Sequence, residues 1–166
     1  METMEIHRLG PVWILVAHES GARIFSRLNP AADLELLEVI DHPIGRAKEQ
    51  EMKSDRPGRE EGWGPSAARY IFGKHVSATD KNAIDFAHDL AARLDKERDL
   101  NSFDRLILVA GPRFLGMLRQ ALPEQTAQRI VKTLDQNLGN IGDREIPKHL
   151  APLLSELDRT AGLRQA

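Results

Sequence analysis

The feature that most constrains this chain is the run Asp104-Arg105-Leu106-Ile107-Leu108-Val109-Ala110 passing straight into Gly111-Pro112. A short, unbroken apolar run of this kind reads as a buried strand. Proline is pre-set for the first position of a helix. Phe114, Leu118, Ala121 and Leu122 then give that helix a core face. A second apolar run, Val12-Trp13-Ile14-Leu15-Val16-Ala17, predicts another largely buried strand. His18-Glu19-Ser20-Gly21 is turn chemistry, with Gly21 able to take a positive φ. Ala22 to Leu28 follows as a strand, so the pair reads as a β-hairpin. Asn29-Pro30 breaks it, and Leu34 to Ile40 is a third strand. Ser77 or Thr79 caps a helix that reaches about Arg98, with Ala83, Ala87, Leu90, Ala91 and Leu94 on its inner face. Past Pro123 the pattern suits helix or strand, and a strand is expected over Arg129 to Asp135. Ile146 to Leu157 is a final helix, with Leu150, Leu153, Leu154 and Leu157 along one side. Strands followed by alternating helices and strands predict an α/β fold, a mixed β-sheet of about five strands with flanking helices. The 166 residues suit a single domain with its core over about 11–159.

Residues 41–76 stand apart. Pro43, Gly45, Pro57, Gly58, Gly62, Gly64 and Pro65 are spread among charged residues, and no period survives. Loops of this length inside compact domains are usually functional or disordered. Ser54-Asp55-Arg56-Pro57-Gly58-Arg59 has Pro and Gly at the central positions of a type II turn, which presents Arg56 and Arg59 outward. Guanidinium forks suit phosphate or carboxylate partners. Trp63, between Gly62 and Gly64, is placed to stack on a base or to anchor a protein contact. Arg56, Arg59, Trp63 and Arg69 are therefore the candidate partner-binding residues. The bland alternative has Trp63 pinning the loop to the sheet and the arginines paired with Asp55, Glu60 and Glu61. A second candidate is an anion site at the strand-to-helix turn, formed by Gly111, Arg113 and Arg119, where free N–H groups meet the positive end of the helix dipole. Pro112 removes one donor there, and an ordinary connection accounts for the same residues.

Other chemistries find little support. The chain has no cysteine, which excludes disulfides, thiolate metal sites and a cysteine nucleophile. Its six histidines are scattered. Asp85, His88 and Asp89 share a helix face that a solvated polar surface explains as well as a metal would. No Gly-x-Ser-x-Gly elbow is present. No catalytic residue, metal ligand or cofactor is assigned. The net charge of −2 argues against a general nucleic-acid binder while leaving room for a local basic patch. Residues 1–10 lack an apolar stretch of signal type, and no apolar run approaches membrane-spanning length, so a cytoplasmic location is expected.

Three separated blocks carry a resemblance. Val12 to Ala17 with Gly21-Ala22-Arg23-Ile24-Phe25, then Ser54 to Arg59, then Phe103 to Arg119 resemble the bacterial host attachment proteins, a likeness covering about Val12 to Leu154. That family implies a role in attachment to host cells and supplies no reaction. More remotely, the order of hairpin, third strand, long loop, helix and Leu-Ile-Leu-Val-Ala-Gly-Pro is similar to the middle domain of eukaryotic and archaeal peptide-chain release factors, which implies a ribonuclease H-like architecture. In those proteins the loop carries Gly-Gly-Gln. Here Trp63-Gly64-Pro65 falls in its place, and a proline side chain can neither position a water nor donate a hydrogen bond. The resemblance thus implies a binding domain without that hydrolytic chemistry, its partner being a protein or the ribosome or transfer RNA. A hydrolase assembled only in the fold is the remaining alternative.

Overall fold

The structure is a computed structural model and describes residues 10–44 and 77–165. Arg56, Arg59, Trp63 and Arg69 lie outside the described residues. The elements are β1 (Val12–His18), β2 (Gly21–Arg27), β3 (Glu35–Asp41), α1 (Ala78–Asp99), β4 (Arg105–Ala110), α2 (Pro112–Ala121), α3 (Glu124–Ala127), β5 (Ile130–Asp135) and α4 (Ile146–Gln165).

The strands form one mixed five-stranded sheet in the order β3-β2-β1-β4-β5. β1 and β2 pair antiparallel from Val12 opposite Arg27 to His18 opposite Gly21, and β3 continues antiparallel on the outside. β4 lies parallel to β1, and β5 parallel to β4. Because successive residues of a strand point to opposite faces, β1 and β4 feed two cores at once. Trp13, Leu15, Ala17, Leu106, Leu108 and Ala110 pack under α1 and α2, against Phe86, Leu90, Leu94, Phe114 and Leu118. Val12, Ile14, Val16, Ile107 and Val109 pack under α4, against Ile146, Leu150, Leu154 and Leu157. Burial on both faces is why these two strands read as continuous apolar runs rather than as alternation. β3 is an edge strand, with Leu37 and Val39 exposed.

Local chemistry sets the boundaries. Ser77 is the N-cap of α1, its hydroxyl accepting from the Asp80 N–H at 3.1 Å. The helix ends with Asn101 in the left-handed region at φ 57°. The Asn101 N–H donates to the Arg98 carbonyl and the Ser102 N–H to the Glu97 carbonyl, a Schellman pair. Pro112 occupies the first turn of α2, as expected.

Three details differ from the sequence reading. Gly21 opens β2 without a positive φ; its value is space, since a Cβ there would stand 3.0 Å from the Ile40 carbonyl oxygen. The short helix α3 precedes β5, and with four residues it is too brief to show a period. Helix α4 runs past Leu157 to Gln165, beyond its apolar stripe and through Pro152.

Candidate functional site

In open α/β sheets, ligands bind outside the carboxyl ends of the parallel strands. Here β1, β4 and β5 end at His18, Ala110 and Asp135 on one edge. A cleft of about 340 Å³ lies there, lined by His18, Glu19, Gly111, Pro112, Arg113, Phe114 and Asn137. The Gly111-Pro112 turn makes one wall, and the connection after β5 makes the facing one.

Each lining residue is held by its local structure. His18 Nδ1 accepts the Ser20 backbone N–H at 3.2 Å and lies 3.2 Å from the Ser20 hydroxyl. Its ring rests against Gly139, where a Cβ would come within 2.8 Å of the ring carbon Cδ2. The Gly139 N–H donates to Asn137 Oδ1 at 3.0 Å, folding the far wall into a tight turn. Arg23, a β2 residue only 8% exposed, ties this connection to the sheet. Its guanidinium donates to the carbonyls of Leu138 at 2.7 Å and Ile141 at 2.6 Å, and to Asp143 at 2.8 Å.

The electrostatics of the cleft centre on Arg113. Its guanidinium pairs with Asp80 from the first turn of α1 and with Glu19 from the β1–β2 turn at 3.7 Å. Two carboxylates thus bracket one cation. Gly111 is the N-cap of α2 with no side-chain capping bond, and it has ordinary room, a Cβ there meeting only the Asn137 Cβ at 3.6 Å. Arg119 lies about 10 Å further along α2, at roughly 1.5 Å per residue. There it donates to the Thr133 hydroxyl at 2.9 Å. The structure therefore brings Gly111 and Arg113 together in the cleft and sets Arg119 apart, against Thr133 of β5.

Residues that the sequence did not single out complete the site. Glu19 reads only as turn chemistry, and neither Asp80 nor Asn137 carries a signal of its own in the sequence. No local signal says that all three meet Arg113 or its cleft. Asp85, His88 and Asp89 are exposed on α1. Among the described residues, no group of three or more His, Asp or Glu side chains is placed to hold a metal ion. No described helix is long and apolar enough to cross a membrane.

No curated protein matches the sequence. Among solved structures, one titled only "Archaeal protein" is similar, at 8% identity and a TM-score of 0.44. The alignment covers 99% of this chain and 44% of that one. Residues 13–150, from the second residue of β1 into α4, match the family described as "Protein required for attachment to host cells". The chain belongs to that family.

Proposed function

We propose that this chain is a binding domain without catalytic chemistry of its own, which serves attachment indirectly from the cytoplasm and meets a protein partner at the carboxyl edge of the sheet. The observation that carries the reading is that the cation at that edge is already paired. Arg113 is bracketed by Glu19 and Asp80, so its charge is already matched within the chain. The rest of the lining is His18, Pro112, Phe114 and Asn137 beside a glycine. Such a mixed surface, its arginine already paired, suits a protein contact better than a phosphate backbone, which is recognised by unpaired cations.

Both flanks of residues 45–76 reach the same edge. The His42 N–H bonds the Ser20 carbonyl at 3.0 Å, and Ser77 caps the helix whose Asp80 holds Arg113. Arg56, Arg59, Trp63 and Arg69 belong to the segment between these flanks, and we assign them to the same contact.

The test is affinity capture and gradient sedimentation of the tagged full chain from cell lysate, at low and at moderate salt. Capture of a protein partner that survives moderate salt, and is weakened by Arg56→Ala with Arg59→Ala at unchanged melting temperature, supports the proposal. Co-migration with ribosomal particles that is lost as salt rises would replace it with the translation-linked reading. A fall in melting temperature in the double variant would make those arginines structural.

A further inference from the structure

Among the described residues, the opposite edge of the sheet holds a cation without a partner. Val12 faces Arg27 on one side and Arg105 on the other, so both arginines leave the sheet on the α4 side, where Val12 is buried. The other cations on that face are matched: Arg23 by Asp143 and Lys132 by Glu156. Arg27 is 6% exposed, and both its terminal nitrogens are taken by the Asp158 carboxylate, at 2.6 and 3.0 Å. Arg105 is half-buried, and among the described residues its guanidinium makes neither a hydrogen bond nor an ion pair. The Nε–H groups of Arg27 and Arg105 are both buried and unmet.

A buried donor left without an acceptor costs free energy, and more so when charged. Burial, and then the neighbouring charge of Arg27, hold Arg105 below the ordinary arginine range, with Asp104 and Asp158 opposing. Neither carboxylate pairs with it: Asp158 is committed to Arg27, and Asp104 accepts from the Gly10 N–H at 2.8 Å and lies 3.8 Å from Arg129. The cleft of about 280 Å³ on the β3 side of Arg27 is separate, since Arg105 does not line it. Among the described residues, no acceptor meets the Arg105 guanidinium.

We propose that Arg105, with Arg27 beside it, forms an oxyanion site at the amino-terminal edge of the sheet, taking a carboxylate or a phosphate group. The planar guanidinium fork matches either ligand in a bidentate pair. This site is independent of the cleft at the carboxyl edge and of the partner proposed there.

The experiment is thermal unfolding of the full chain in sodium phosphate, in sodium acetate and in chloride of equal ionic strength. Phosphate also stabilises proteins generally by exclusion, so the comparison is between variants. Wild type and the control Arg144→Gln, an exposed arginine, should gain roughly 5 °C in about 50 mM phosphate or acetate relative to chloride, as for a ligand well above its dissociation constant. Arg105→Met, which keeps the aliphatic stem, should lose that gain, and Arg105→Lys, which keeps charge without the fork, should show a reduced one. Whether phosphate or acetate gives the larger gain names the ligand source. The same gain in Arg105→Met as in wild type, or none in wild type, would overturn the site.

Discussion

Replacing Arg23 by Met separates what a buried cation does for the fold from what it does for the cleft. Methionine keeps much of the aliphatic stem and removes the guanidinium, which bonds two main-chain carbonyls and one carboxylate of the β5–α4 connection. The Leu138 carbonyl bond is buried, and leaving its acceptor unmet costs about 1–3 kcal/mol. The Ile141 carbonyl bond is partly buried, and we assign it about 1 kcal/mol. The Asp143 side chain is 50% exposed, so its ion pair adds at most about 1 kcal/mol after solvent screening. The sum is about 3 kcal/mol, or roughly 6–12 °C in melting temperature for a chain of this size. Urea unfolding followed by circular dichroism measures the total, and amide hydrogen exchange at Gly139 to Gly142 localises it. Asp143→Asn, which leaves the two carbonyl bonds in place, should cost less than about 1 kcal/mol. An Asp143→Asn variant as unstable as Arg23→Met would refute the reasoning, because the ion pair and not the carbonyl bonds would then carry the energy.

Two further outcomes follow from contacts elsewhere in the structure. Gly139→Ala would drive a methyl group into the His18 ring, so a loss of about 1–3 kcal/mol is expected, read by urea unfolding, with weakened partner capture because the cleft wall shifts. At the α1–α3 contact, the Thr126 hydroxyl donates to Asp95 at 2.7 Å. That bond first, and Arg98 second, hold the Asp95 carboxyl below its ordinary value. A depressed folded-state pKa means stability present above the ordinary aspartate value of about 3.9 and lost as pH falls below it toward the depressed value. Thr126→Val should therefore lower stability at neutral pH and flatten the acid limb of a melting-temperature profile. An unchanged acid limb would show that Thr126 does not set the Asp95 titration.

Much of the architecture was legible because burial imposes it. β1 and β4 lie between two helical layers, so their sequences are continuously apolar and announce themselves. The start of α1 at Ser77, the turn at Gly111-Pro112 and the stripe Leu150, Leu153, Leu154 and Leu157 each state a local preference that tertiary packing obeys. The exceptions have physical causes. The last turns of α4 extend past the apolar stripe, so no periodicity marks them. α3 has four residues and cannot show one. In the hairpin, Arg23 and Arg27 look like the polar residues of an exposed strand face, yet they are 8% and 6% exposed. Their charge is tolerated only because Asp143, Asp158 and two carbonyls arrive from the far end of the chain.

The same division holds at the candidate site. By itself the sequence determined the strands and most of the helices, because each is dictated by residues adjacent in the chain. Its resemblance to the host attachment proteins was legible as well, in blocks of neighbouring residues. It also placed Gly111 and Arg113 at the end of a strand, since that junction is local. Only the tertiary structure decided that Glu19 and Asp80 close on Arg113, that Arg119 turns away to Thr133, and that the buried Nε–H of Arg105 meets no acceptor among the described residues. Charge pairing depends on side chains brought together from distant segments, and no pattern of neighbouring residues encodes which of them will meet.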